Sequence, residues 1–222
     1  MVWVGARYRF ASTFSYRIPY FSSSYALSAP APSPSTIKLA LVSSAINRTG
    51  NVNNGKELFN AICNAKVEVE LPETFAVFKA FMKRLKKKRQ GEGFERTFGI
   101  REYILYHGNL GVRLEIESNE DQVSKALKQI QYFGTSDSIC SYVGGLEETN
   151  PKHIVKSSSS NFNGDMKGVI FLLSDFGKGT TFDDINPFSG KKLKKENLTL
   201  TPYLFPIYAW QKDKCCTVYK CS

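Results

Sequence analysis

The sequence predicts an α+β domain on the ferredoxin-like plan, with a basic insertion and a small C-terminal extension rich in strands. Three observations lead there. Stretches that alternate with period 2 flank stretches whose apolar residues recur at three and four, in the order β-α-β, insertion, β-α-β. The insertion contains Lys83 to Arg89, seven residues of which six are cationic. The chain has 222 residues, 42% of them hydrophobic, which supplies one good core.

The elements follow in order. Val2, Val4, Ala6, Tyr8 and Phe10 share one strand face, with Trp3, Gly5, Arg7 and Arg9 on the other. Residues 11–32 are rich in Ser, Tyr, Phe and Pro and read as a long structured loop. Ser33-Pro34 starts a helix: the hydroxyl caps free amides, and proline suits the first helical position. Ile37, Ala40, Leu41, Ser44 and Ala45 form its inner face, and Gly50 ends it. Residues 51–55, rich in Asn and Gly, read as a loop before a short helix with Leu58, Phe59 and Ile62 inward. Lys66 to Leu71 alternates as a half-exposed strand.

Segment 74–98 fits a helix or a long projecting hairpin, and its periodicity does not decide between them. Phe75, Phe78, Phe81, Phe94 and Phe98 flank the cationic run, and Gly91 and Gly93 interrupt it. Ile100–Tyr106 and Val112–Glu117 are expected to pair as a hairpin through His107-Gly108-Asn109. Ser118 and Asp121 have the spacing of a capping box before a helix with Val123, Ala126, Leu127 and Ile130 inward. Ile139–Val143 is the next strand. Beyond it the sequence predicts one buried strand, Val169–Leu173, between the loops 157–165 and 177–197. Residues 1–145 are read as the domain with its insertion at about 74–98, and 146–222 as an extension packed on it.

Composition narrows the function. The formal charge is +10 and unevenly spread: no Asp or Glu precedes Glu57, and residues 79–101 carry nine basic residues against Glu92 and Glu95. Such a distribution suits an oriented polyanion binder, because neutralised phosphates release counterions. No apolar run is long enough to span a membrane. The Arg- and Ser-rich start has the composition of a transit peptide, but its strand-like alternation favours a retained segment. Five cysteines and no signal-peptide pattern point to reduced thiols in a cytoplasm. Cys215, Cys216 and Cys221 lack the spacing of a zinc site, so neither a metal nor a cofactor is expected.

Catalytic motifs are scarce. The sequence has no phosphate-binding loop and no nucleophile elbow, and Gly91-Glu92-Gly93 lacks the context of a nucleotide fingerprint. His107 and His153 are the only imidazoles, and neither has a convincing base–orienter arrangement around it. The cationic run is the strongest binding candidate, since cations hold phosphate and flanking aromatics stack bases. The start of the first helix is the second. Its free amides, the hydroxyls of Ser33, Ser35 and Thr36, and Lys38 form a phosphate-sized donor cluster, though an ordinary capped helix accounts for the same residues.

Arg17, then Tyr25-Ala26-Leu27, then Pro30-Ala31-Pro32-Ser33-Pro34-Ser35-Thr36-Ile37-Lys38-Leu39-Ala40 resemble the Cas-five family. That family is a branch of the RAMP superfamily found in type I CRISPR systems. Tyr132-Phe133-Gly134-Thr135-Ser136-Asp137-Ser138 resembles the family's second marker, and the basic insertion occupies the place of its thumb. The whole is most similar to the archaeal type I-A version. The resemblance implies a non-catalytic subunit for antiviral defence that grips the 5′ handle of the guide RNA (crRNA) and caps the Cascade complex. It implies contacts with the backbone and large subunits and, through the complex, with target DNA and the helicase-nuclease subunits. The residues expected on RNA are Tyr16, Arg17, Tyr20, Ser33, Ser35, Thr36 and Lys38 around the helix start. In and just beyond the insertion they are Lys83, Arg84, Lys86, Lys87, Lys88, Arg89, Arg96 and Arg101. One branch of the family cuts precursor RNA with a Tyr, Lys and His set. Tyr106-His107 lacks a Lys in register here, so endoribonuclease activity is the alternative rather than the expectation.

Overall fold

The computed structural model describes residues 1–18, 20–21, 26–146, 152–157, 167–191 and 193–222. The elements are β1 (Val2–Phe10), α1 (Pro34–Thr49), α2 (Val52–Ile62), β2 (Lys66–Glu70), β3 (Thr74–Lys87), β4 (Phe94–His107) and β5 (Leu110–Ile116). They continue as α3 (Glu120–Leu127), β6 (Cys140–Gly145), β7 (Ile154–Ser157), β8 (Val169–Phe176), α4 (Phe182–Ile185), β9 (Leu198–Phe205), β10 (Ile207–Lys212) and β11 (Cys216–Cys221). Two sheets organise them: one of order β6-β1-β5-β2-β7-β9-β8, the other of order β10-β11-β3-β4. Every pairing in both is antiparallel.

The core lies between the larger sheet and its helices. Val4, Ala6 and Tyr8 of β1 and Val112, Leu114 and Ile116 of β5 face Ile37 and Leu41 of α1, Phe59 of α2 and Leu127 of α3 within one buried cluster. Alternation sends the other side chains of those strands outward, which is why the period-2 pattern was legible. α1 begins and ends where the sequence places it. Ser33 accepts from the Thr36 amide, Pro34 opens the first turn, and Gly50 closes it in the left-handed region.

Several expectations are corrected. α2 starts at Val52, so residues 52–55 are helical rather than loop, with Asn51 capping the Asn53 amide. β4 and β5 do not pair: β5 is already bonded on both edges, to β1 and β2, while β4 pairs with β3 over its whole length. Gly108, at φ 126°, carries the chain from one sheet to the other, a conformation glycine adopts without a steric penalty. α3 has no capping box; Asn119 stands at its start in the left-handed region without a side-chain cap bond. Val169–Leu173 belongs to an edge strand rather than a buried one: Val169, Ile170 and Leu172 are exposed and Leu173 is buried, with β9 as its strand partner. Among the described residues the C-terminal third holds five strands, and segment 177–197 includes α4 and a 3-10 turn, Lys195–Asn197. The loop expected at 157–165 lies outside the described residues beyond Ser157.

Candidate nucleic-acid interface

Segment 74–98 enters a long antiparallel arm. β3 and β4 pair without a register break from Thr74↔His107 to Lys87↔Phe94. At the base one face is buried, with Phe75, Glu102 and Ile104 inside. Towards the tip the same face opens to solvent. Phe81, Leu85, Phe94 and Phe98 are 63–70% exposed, and the rings of Phe81 and Phe98 stack with centroids 5.7 Å apart. Lys83, Lys87 and Arg96 lie between them on that face, by the alternation of the ladder. Lys88 and Arg89 stand in the turn, which Gly91 (φ 78°) and Gly93 (φ 96°) shape and the Lys88 amide closes on the Gly93 carbonyl. Arg84 pairs with Thr97 in the ladder; its side chain is outside the described set.

The cations of the arm differ from those on the outer face of the larger sheet. There Arg113 Nε donates to Glu68 at 2.8 Å, Lys66 meets Glu68 at 2.9 Å, and Arg7 meets Glu70 at 3.6 Å. Trp3 lies under both Lys66 and Arg113. Burial raises the Glu68 carboxyl, but hydrogen bonds from Lys66 and Arg113 hold it below its ordinary value. Leu146 also covers that face, against Gly5 and Gly111. Among the described residues, by contrast, Lys83, Lys86, Lys87, Lys88, Arg89 and Arg96 have no salt-bridge partner. Unpaired cations are the ones available to an external anion.

At the base of the arm a groove of about 800 Å³ is lined by Ser12, Thr13, Met82, Arg101, Tyr103, Thr135, Ser136 and Asp137. Met82 and Arg101 also line a smaller depression of about 170 Å³ with Arg17, Phe98 and Ile100. The loop 132–138 forms one bank. Its Gly134 adopts φ 74°, Phe133 and Ser138 are fully buried, and Ser138 Oγ accepts from the Ser15 amide at 3.1 Å. Asp137 holds Arg101 at 2.8 Å. A Cβ at Gly134 would lie 3.7 Å from Thr36 and 3.8 Å from Tyr16, so the helix start and this loop adjoin.

The residues expected around the helix start divide in two. Tyr16 donates to Ser33 Oγ at 2.9 Å, and Ser33 in turn meets Ser35, Thr36 and Ser174. These hydroxyls satisfy one another. Lys38 is 1% exposed, with Nζ 2.8 Å from Asp175 and 2.8 Å from the Cys63 carbonyl, so its ammonium faces inward. Tyr20 accepts from the Leu172 amide and steadies β8. Arg17 alone of this set is exposed beside the arm. Tyr25 lies outside the described residues.

One curated relative decides the family. The CRISPR-associated protein Cas5 of Archaeoglobus fulgidus is 39% identical over 200 residues, spanning 86% of this chain and 87% of the relative. The chain belongs to the Cas5 family. No family model matches it. A crystal structure of a CRISPR protein from Archaeoglobus fulgidus aligns with all of the chain and 92% of its own, at 13% identity and a TM-score of 0.47. A cryo-EM structure of type III-B Cmr-beta bound to cognate target RNA and AMPPnP has a chain that aligns over 97% and 86%, at 11% identity and a TM-score of 0.43.

For a Cas5-family chain the remaining chemistry is quickly placed. Tyr106 donates to the Pro30 carbonyl at 3.0 Å, and burial pushes its phenol well up. The next residue, His107, is exposed at the end of β4 beside Thr74. His153 lies against the Ser222 carbonyl. All five cysteines are free thiols, and Cys63, Cys140 and Cys221 are buried. Among the described residues no group of three His, Cys, Asp or Glu side chains is placed to hold a metal ion, and no helix is long and apolar enough to cross a membrane. The groove residues Met82, Thr135, Ser136 and Asp137 escaped the sequence reading as site residues. The run of small polar residues after Gly134 was visible as a family marker, but its place beside the arm follows only from the fold.

Proposed function

We propose that the chain is a non-catalytic RNA-binding subunit of a type I CRISPR effector complex, of the archaeal I-A kind, working in the cytoplasm. It grips the repeat-derived 5′ handle of the guide RNA, caps one end of the assembly, and adjoins the backbone and large subunits. Target DNA and the helicase-nuclease subunits meet it through the complex, and the guide rather than the protein reads the target by pairing. The domain is read as modified ferredoxin-like over 1–145. Support comes from the order β6-β1-β5-β2 with the helices packed on one face. The extension 146–222 adds β7, β9 and β8 to that sheet and β10 and β11 to the sheet of the arm, as a unit packed on one domain would.

The observation that carries the reading is the arm: unpaired cations alternating with exposed rings on a continuous ladder, above the groove with Arg101 and the depression with Arg17. Rings stack bases without regard to sequence and cations follow the backbone. Lys83, Lys86, Lys87, Lys88, Arg89 and Arg96 are assigned to phosphate, with Arg84 in the same run. The non-catalytic part is supported by Tyr106 and His107, adjacent residues whose side chains leave opposite faces of β4.

Titrating a single-stranded repeat RNA at several salt concentrations tests this. Changing Lys86, Lys87, Lys88 and Arg89 to Ala is expected to weaken binding and flatten the log–log salt slope together, by about 0.7 for each lost phosphate contact. The RNA is expected intact after incubation without metal. An unchanged slope would make the run a protein-facing surface, and cleavage would restore the endoribonuclease alternative.

A further inference from the structure

We infer that the cleft between α1 and the segment Lys128–Tyr132 holds one nucleotide of a single-stranded RNA, its base on Tyr132 and its phosphate on Arg48 and Lys128. The inference rests on the RNA-binding reading above and extends the RNA path past the groove at the base of the arm.

The cleft encloses about 730 Å³, within the range of small-ligand sites. Thr36, Ala40, Ser43 and Asn47 line its helical wall, at spacings of four, three and four, and their short side chains leave it open. Gln129, Gln131 and Tyr132 line the opposite wall, with Ser141 and Tyr142 of β6. Arg48 and Lys128 are the cations, and none of the lining residues is acidic, in a chain with 20 Asp and Glu. Among the described residues neither cation has a salt-bridge partner, whereas Arg101 in the groove next to it does.

The chemistry selects the ligand. With no carboxylate in the lining and two cations, the cleft disfavours a divalent cation. Two cations and no acid suit a phosphodiester. Tyr132 is 42% exposed and, among the described residues, no ring packs on it. Its backbone is fixed by the bridge to Ile139, and the Cys140 amide donates to the Gln131 carbonyl at 2.8 Å. A presented ring on a fixed backbone is what base stacking needs. The amides of Asn47, Gln129 and Gln131 offer both donors and acceptors to the edge of the stacked base. Continuity adds the direction. Gly134 lines this cleft, and the next three residues, Thr135 to Asp137, line the groove below the arm. A nucleic-acid strand crossing that loop reaches both.

The test uses the full chain, four homopolymeric RNA octamers and a DNA octamer. Tyr132→Ala is expected to weaken RNA binding about tenfold, with Tyr132→Phe restoring it, at an unchanged melting temperature. The double change Asn47→Ala and Gln131→Ala is expected to narrow the preference among the four octamers more than it lowers affinity for all of them. If the wild type binds none of the octamers, the RNA reading falls and the cleft with it. If the wild type binds and the arm variant loses binding, while Tyr132→Ala and the double Arg48→Ala, Lys128→Ala bind like the wild type, the cleft is no RNA site and the RNA reading stands.

Discussion

The Lys38 ammonium lies enclosed where α1, β8 and the end of α2 meet. It pairs with Asp175 and donates to the carbonyl of Cys63, the C-cap of α2, where a cation also suits the helix dipole. Lys38→Met leaves a half-buried carboxylate and a free carbonyl, an expected loss of roughly 3 kcal/mol in urea unfolding. Adding Asp175→Leu should recover much of it. A Lys38→Met protein of native stability that no longer binds RNA would mean that the ammonium swings outward. The sequence shows Lys38 beside Ser33, Ser35 and Thr36, which made a donor cluster the natural reading. Its partner is 137 residues downstream, and no local pattern announces that distance. Arg17, in contrast, is exposed in its loop, a placement that needs no distant partner.

Among the elements, α1 was readable to the residue, since Ser33, Pro34 and Gly50 act locally. α2 was not. Gly55 made residues 51–55 look like a loop, yet a Cβ there would lie 2.4 Å from Ile46 Cγ1. The missing side chain lets α2 approach α1. Propensity alone makes Gly55→Ala stabilising by about 1 kcal/mol. The contact predicts the opposite sign, and a thermal melt of that variant decides between them. The arm was ambiguous for another reason. Both of its distal faces meet water, so neither a helical nor a strand period was imposed on its apolar residues. The hairpin expected between β4 and β5 failed because neighbours in sequence were taken as neighbours in space. Only the bonding of β5 on both edges excludes it.

For the whole molecule, the division between body and arm matters most. β11 pairs with β3 only over Thr74–Phe78, and the buried part of β4 ends at Glu102. Replacing Met82–Gly99 by Asn-Gly, a favoured two-residue hairpin turn, should therefore leave the melting temperature within a few degrees while RNA binding collapses. A large fall in stability would show that the arm is part of the core. The strands of the larger sheet as far as β6 were legible from their alternation, although the cap expected before α3 and the partner expected for β5 were not those found. β7 to β11 were mostly missed, because short strands with one exposed face give weak patterns. Their pairing depends on partners far away, as β11 with β3.

The same division has a consequence for how such chains vary over time. Beyond Met82 and Gly99 the two strands of the arm pair with each other through a ladder without a bulge. A residue gained or lost on one strand alone would put every later pair out of step and exchange the inner and outer sides. Two gained or lost on each strand would keep the sides and move the tip by roughly 7 Å. Length in this segment is thus free to drift, but only in matched, even steps, and gaps between related sequences should gather between Met82 and Gly99 in that arithmetic.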